Sequence, residues 1–184
     1  MIVGDVGDFV DVGNVGPTYQ PGHAHSDTLS FILYVNNKPV FVDTGVSTYE
    51  KNYKRQTERE TTAHNTVIIN SQDQTQVWGG FRVAKRAKVK NLKEGVDFVE
   101  AEHDGYKNLG VKHLRRFSVD KFCIQIFDTI ANNSNYNQTA YFHLHPSLKN
   151  LIINDHSIIL ENNININFIG KNIIIHKELY DYSE

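Results

Sequence analysis

Apolar and polar residues alternate over most of the chain, and nowhere do apolar residues recur for long at the three-to-four spacing of an amphipathic helix. Two β-rich runs come first, at residues 28–36 and 38–43, and Asn36-Asn37 between them has the chemistry of a tight hairpin turn. From residue 65 onward strands are predicted at 66–70, 81–89, 96–103, 113–120, 122–131 and 138–145, with three more before Lys177. Clusters such as Lys93-Glu94-Gly95, Asp104-Gly105 and Asn132-Asn133-Ser134 punctuate them at short, regular intervals. Many short strands with regular turns predict an all-β fold, an antiparallel β-sandwich. The tail is rich in Ile and Asn, and its alternation over residues 163–168 fits a strand with one wet face.

Two stretches break the pattern. Residues 1–22 scatter Gly4, Gly7, Gly13, Gly16, Pro17 and Gly22 among short apolar pairs, which predicts a loop-rich lead-in. Residues 44–64 turn polar and charged, which predicts a long loop, and loops of that length in compact domains are often functional. At 184 residues the chain is expected to be one domain, 1–184, able to bury a core without staples.

Charge adds little to this picture. A formal net charge of −2 and a pI near 6.5 give no global reason to bind nucleic acid or an anionic membrane, so any polyanion needs a local basic cluster. The alternating basic run from Lys85 to Lys90 is better explained as a solvated strand. No apolar stretch reaches bilayer-spanning length, and no charged and then apolar leader opens the chain. The single cysteine, Cys123, sits in an apolar run and is expected to be buried; it excludes an intrachain disulfide.

The densest polar constellation is Gly22-His23-Ala24-His25-Ser26-Asp27, just before the first confident strand. In an extended segment residues two apart share a face, so His23, His25 and Asp27 could converge on one ion or substrate group; a polar loop with satisfied histidines is the plainer alternative. Asp43 ends the second strand of the hairpin, opposite the start of the first, where His25 lies; an Asx-turn before Gly45 would also account for it. His64 follows the long loop at the start of another strand. Two imidazoles and a carboxylate with an open position suit zinc. Phe142-His143-Leu144-His145 places two more histidines on one face, far along the sandwich, where a structural role is favoured.

Read in order, Gly22-His23-Ala24-His25-Ser26-Asp27, Val42-Asp43-Thr44-Gly45 with Tyr49, Thr62-Ala63-His64-Asn65-Thr66 and Val77-Trp78-Gly79-Gly80-Phe81-Arg82 resemble the heparinase II/III-like polysaccharide lyases. The resemblance implies a C-terminal β-sandwich, supersandwich-like, which in the full enzymes follows an α/α toroid with polysaccharide bound between the two. It implies a zinc ion, mainly structural, held by His25, Asp43 and His64, and it places His23 toward the substrate as a catalytic candidate. No run in this chain has the helical periodicity of a toroid, which in the family carries the principal catalytic tyrosine, so the 184 residues alone are expected to be inactive.

The implied reaction is β-elimination at a uronic acid. The site must neutralise the carboxylate, supply a base for the proton alpha to it and protonate the leaving oxygen. Arg59 and Arg82 are candidates for pairing with substrate carboxylate or sulfate, as is Arg55, while Tyr49, Tyr53 and Trp78 are candidate proton donors or sugar platforms. The expected partners are an acidic polysaccharide and an upstream toroid, and the expected location is the periplasm or cell envelope. The alternatives are a non-catalytic carbohydrate-binding sandwich and a metal-stabilised structural module.

Overall fold

The computed structural model describes residues 6–17, 19–120, 123–131, 135–160, 164–170 and 174. Among the described residues there are fourteen strands: β1 (Val6–Val10), β2 (Phe31–Val35), β3 (Lys38–Phe41), β4 (Val67–Ile69), β5 (Gln76–Trp78), β6 (Arg82–Ala84) and β7 (Val89–Glu94) form the first half. The second half holds β8 (Phe98–His103), β9 (Lys112–Val119), β10 (Ile124–Ala131), β11 (Gln138–Ala140), β12 (Ile152–Asn154), β13 (Ser157–Ile159) and β14 (Asn165–Asn167). All pairings are antiparallel. Sheets of order β1-β2-β3, β10-β9-β8-β7 and β12-β13-β14 are joined by the pairs β4-β11 and β5-β6. This is the expected β-sandwich.

The principal core lies where the inward faces of these sheets meet. In β2 the buried residues alternate, with Phe31, Leu33 and Val35 pointing in and Tyr34 out. They pack with Phe41 of β3, Phe117 of β9 and Ile158 of β13. Phe31 meets Phe41 and Phe117 edge-on, with ring centroids 5.5 and 5.7 Å apart. Burial of each such ring is worth roughly 1.5–3 kcal/mol, so this aromatic centre fixes β2, whose N-terminal end leads directly from the His-rich segment.

The hairpin β2–β3 turns on Asn36 and Asn37, both in the left-handed region at φ 53° and 59°. That is the two-residue turn whose twist matches paired strands, and asparagine tolerates it better than most residues.

Several elements depart from expectation. The lead-in contains β1, in register with β2 from Val6↔Val35 to Val10↔Phe31; its sequence, Val-Gly-Asp-Phe-Val, has no apolar alternation, and pairing with β2 sets it. Residues 44–64, expected as loop, contain a one-turn helix, α1 (Tyr53–Thr57), and a 3-10 turn, Thr61–Ala63. Asn52 caps the helix by accepting the Arg55 N–H at 2.8 Å. The run 81–89 is not one strand: Lys85, at φ 43°, separates β6 from β7. The run 138–145 stays in a strand only to Ala140 and then meets β3 through the Phe41–Leu144 bridge. Cys123 is half-buried rather than buried, and its Sγ–H faces Asp120 Oδ2 at 3.2 Å. Phe122, the turn at 132–134 and residues 175–177 lie outside the described residues. No helix among the described residues is long and apolar enough to cross a membrane.

Candidate functional site

The segment 22–27 is held from behind by its even-numbered neighbours. Ala24 and Ser26 are buried, and His25 and Asp27 between them are half-buried, with His23 exposed. Arg59 reaches the Ala24 carbonyl through Nε and Nη2 at 3.0 and 2.9 Å, and Arg55 donates to the Gly22 carbonyl at 2.8 Å. The Ser26 amide donates to the Arg59 carbonyl at 2.9 Å, while its hydroxyl pairs with Thr61 and accepts from the Thr75 amide. Anchoring Ala24 and Ser26 inward leaves His25 and Asp27 on the opposite side, the two-residue periodicity of extended backbone, whereas His23 ends a 3-10 turn, Pro21–His23, and is not among the converging donors.

His64 follows the Thr61–Ala63 turn and is almost completely buried, at 1% exposure. One ligand atom each from His25, Asp27 and His64 all lie within 4.8 Å of one another. The rings of His25 and His64 stand 5.3 Å apart. Asp43 reaches the same place from the end of β3: its Oδ2 lies 2.6 Å from His64 Nδ1, while its Oδ1 accepts the Gly45 amide. The Asx-turn and the approach to His64 therefore coexist in one carboxylate.

The other ring nitrogen of His64, Nε2, is buried without a hydrogen-bond partner. An orphaned buried polar atom costs about 1–3 kcal/mol, and here it sits among side chains that could hold a metal ion. Burial, helped by repulsion from His64 and Arg55, holds the His25 imidazole down to about 4, so it is a neutral ligand at ordinary pH. Burial also raises the Asp27 carboxyl, only partly offset by His64. For His64, burial favours the neutral ring, but the hydrogen bond and charge of Asp43 outweigh it and raise the ring above its ordinary value. Burial works against the Asp43 charge, and contact with His64 more than restores it. Two imidazoles and two carboxylates with one unsatisfied nitrogen fit a zinc ion.

Backbone strain accompanies the site. Leu29, two residues past Asp27 and fully buried, stands at φ 61°. A non-glycine residue there costs about 1–2 kcal/mol.

The expected substrate groups divide into two sets. His23 is exposed and meets Tyr49 edge-on at 6.0 Å; Tyr49 is in turn exposed above the Arg55 guanidinium, 5.2 Å from its ring centre. Tyr53 at the start of α1 is exposed, and Trp78 and Arg82, exposed as well, are cross-strand partners in β5–β6. That hairpin packs beside α1, since Arg55 Nε donates to the Gly80 carbonyl and Gln56 to that of Val77. Arg59, in contrast, is fully buried, and its Nε and Nη2 go to backbone carbonyls, so it braces the segment and does not face solvent. Arg55 is also buried. Their burial corrects the expectation that Arg55 and Arg59 pair with substrate, because nothing local in sequence distinguishes an arginine that grips carbonyls from one that faces a ligand.

Asn65 carries a role that the sequence reading passed over. Its Nδ2 donates to the Phe31 and Val42 carbonyls, at 2.7 and 3.0 Å, and its Oδ1 accepts the His143 amide at 2.6 Å. It thereby ties the position after His64 to both strands that deliver Asp27 and Asp43. His143, as expected, is structural, with Nε2 at 3.0 Å from the Thr62 carbonyl.

The antiparallel sandwich is a fold shared with solved heparinase III structures. A heparinase III gene product with methylated lysines is similar over 83% of this chain and 22% of its own, at 21% identity and a TM-score of 0.64. A heparinase III crystal structure is similar over 78% of this chain and 22% of its own, at 24% identity and a TM-score of 0.58. The chain thus spans about a fifth of the length of these structures. No curated protein matches it in sequence. The family described as heparinase II/III-like, C-terminal, matches residues 8–176, and the chain belongs to that family.

Proposed function

We propose that this chain is the metal-bearing sandwich of a polysaccharide lyase that cleaves uronate-containing polysaccharide by β-elimination, acting in the periplasm or cell envelope with an α/α toroid. The observation that carries the metal reading is the convergence of His25, Asp27 and His64 donor atoms within 4.8 Å, beside Asp43 and with His64 Nε2 unsatisfied.

His25, Asp43 and His64 hold the ion, as the resemblance implies, with Asp27 near enough to be the fourth donor. A bound zinc supplies fixed positive charge that ties the 22–27 segment, the end of β3 and the start of β4 together. The chain's own residues do the rest. His23 faces the uronate carboxylate and spreads its charge as the alpha proton leaves. Tyr49 is oriented by His23 and by the Arg55 guanidinium beneath it. In the balanced step a base takes the C5 proton, the electron pair forms the C4–C5 double bond, and the glycosidic oxygen departs with a proton.

One contact favours a second ligand arrangement. Two donors on a tetrahedral zinc stand about 3.3 Å apart at ordinary bond lengths, whereas Asp43 and His64 are 2.6 Å apart. In this arrangement Asp43 accepts the Nδ1 proton and orients His64, whose free Nε2 faces the ion with His25 and Asp27. Asp27→Asn and Asp43→Asn separate the two by plasma mass spectrometry and zinc titration. If Asp43 is a direct ligand, its variant loses metal; if it orients His64, the metal is kept with affinity about 10–100-fold weaker, and the Asp27 variant loses it.

The test of the whole reading is elemental analysis of wild type against His25→Ala, followed by assay of the chain joined to its toroid. Near-stoichiometric zinc lost in the variant, and unsaturated uronate products lost in His23→Ala with folding intact, are the expected results. A wild type that holds no metal overturns the metal reading, and a folded, toroid-bearing protein that yields no unsaturated product overturns the lyase reading.

A further inference from the structure

Behind the candidate site lies a second polar cluster that no local motif announces. Arg115 of β9 is fully buried, and Asp128 of β10 accepts from it in a fork, Nε to Oδ1 at 2.7 Å and Nη2 to Oδ2 at 2.8 Å. The remaining nitrogen, Nη1, donates to the carbonyl of Leu29 at 2.9 Å and to that of Asn65 at 2.5 Å. Leu29 lies two residues after Asp27, and Asn65 is the residue after His64. One guanidinium nitrogen therefore joins the two segments that bring these donors together.

The fork itself is fixed from further out. The Gly105 amide donates to His103 Nδ1 at 3.1 Å, which leaves the His103 proton on Nε2, facing His113 Nδ1 at 3.0 Å. His113 then carries its proton on Nε2 and donates to Asp128 Oδ1 at 2.7 Å. Every link has one donor and one acceptor, so the chain from Gly105 to Asp128 has one direction and no unpaired end. Gly105 is required where it stands: a Cβ there would lie 2.7 Å from the Gln74 carbonyl oxygen.

The carbonyl that Arg115 holds on the first segment belongs to the strained residue. Leu29 is kept at φ 61° by its amide on the Asp11 carbonyl at 3.0 Å and by its own carbonyl on Arg115. Strain of this kind persists only where surrounding bonds over-determine it. Thr66 Oγ1 donating to the Thr28 carbonyl, and the Asn65 amide donating to Ser30 Oγ, run between the same segments. Those bonds are local to the site. Arg115 connects them by hydrogen bonds to β9 and, through Asp128, to β10.

We propose that Arg115, held by Asp128, is a positioning residue for the metal centre, setting the placement of Asp27 against His64 through the carbonyls of Leu29 and Asn65. This rests on the metal reading given above. Arg115 touches no ligand atom, so its effect is on affinity through geometry, as outer-shell groups act elsewhere.

The experiment compares wild type, Arg115→Lys, Asp128→Asn and, as a control of stability alone, Val111→Ala in the separate core of Val67, Ile69 and Tyr106. Zinc affinity is measured by competition with a chromophoric chelator, at a temperature where near-ultraviolet circular dichroism reports each protein folded. Arg115→Lys and Asp128→Asn are expected to bind zinc about 10–100-fold more weakly, whereas Val111→Ala melts earlier and binds zinc as wild type does. Lysine keeps the charge but cannot serve Asp128 and two carbonyls together, so it does not rescue. In the metal-free proteins, amide exchange at Leu29 and Asn65 should quicken in both variants, a readout that needs no zinc and survives partial destabilisation. Folded variants that bind zinc as tightly as wild type, or unchanged exchange at those amides, overturn this inference alone. A wild type that takes up no zinc removes the metal reading, and this inference falls with it.

Discussion

Two clusters in this protein contain a pair of histidines facing an aspartate, and they are chemically opposite. His25 and His64 stand with ring centres 5.3 Å apart beside Asp27 and Asp43, and His103 and His113 stand 5.0 Å apart beside Asp128. Around His103 and His113 each ring nitrogen has a partner, and the line of bonds ends in an arginine–carboxylate fork. Around His25 and His64 a buried nitrogen has none, and a strained residue lies close by. Residue types do not separate a structural cluster from a ligand-binding one; hydrogen-bond satisfaction does. A satisfied cluster holds shape, and an unsatisfied one has capacity left for a ligand.

The largest effect should come from breaking the satisfied cluster. Asp128→Ala strips the Arg115 fork and leaves both its guanidinium and the His113 donor buried without their acceptor. Removing one partner of a buried ion pair costs about 3–5 kcal/mol, to be read as a lower denaturation midpoint in urea. At the other cluster His25→Ala should cost the metal-free protein less than about 1 kcal/mol, since the half-buried ring is uncharged and gives up little burial. Equal losses at the two positions would erase the distinction.

Zinc should reverse the ranking. At a free concentration a hundred times the dissociation constant, a ligand that binds only the folded state adds about 2.7 kcal/mol. Wild type should gain that stability and His25→Ala should not, whereas Val111→Ala, in the separate core, should start lower and still gain it. Thermal melts with and without zinc measure the gain directly. A zinc-dependent shift retained in His25→Ala would place the metal elsewhere.

The two clusters were also unequally legible in the chain. His23, His25 and Asp27 are spaced for one face, and Asp43 ends a strand whose hairpin partner is a few residues away, so short-range reasoning reaches most of the site. His64 needed the family resemblance, because a lone histidine after a polar run has many plainer explanations. The His103, His113, Arg115 and Asp128 cluster could not be read at all. Its bonds depend on the register Ile130↔His113 and His103↔His113 and on Arg115 reaching Leu29, 86 residues away in sequence. Register is a property of the whole sheet, and a polar residue in a strand reads as solvent-facing until the sheet is built. Arg55 and Arg59 lie in and just after α1, and their burial rests on carbonyls 23 to 35 residues away; β1, Val-Gly-Asp-Phe-Val, shows no period of its own and is set by pairing with β2.

The smallest and most specific test is pH. Burial holds His103 well below its ordinary value, reinforced by His113, and burial also lowers His113 against the pull of Asp128. A histidine whose folded value is depressed takes up a proton in the unfolded chain first, so stability is full above about pH 6.5 and declines as pH falls below it. A ring that stays neutral throughout accounts for about 1.4 kcal/mol between pH 7.5 and 5.5, which is the ceiling for His103, and His113 acts in the same direction. Asp128, pushed up by burial but held well below the usual carboxylate range by Arg115 and then His113, adds nothing in that window. Its contribution is present above about pH 4 and is lost only as pH falls further toward its folded value. His103→Asn should therefore be less stable than wild type at pH 7.5 yet lose less, by up to about 1.4 kcal/mol, on going to pH 5.5, measured by urea denaturation of the metal-free proteins. If the variant keeps the full wild-type slope, His103 is not the buried neutral link that makes this cluster satisfied, and the contrast with the candidate metal centre loses its chemical basis.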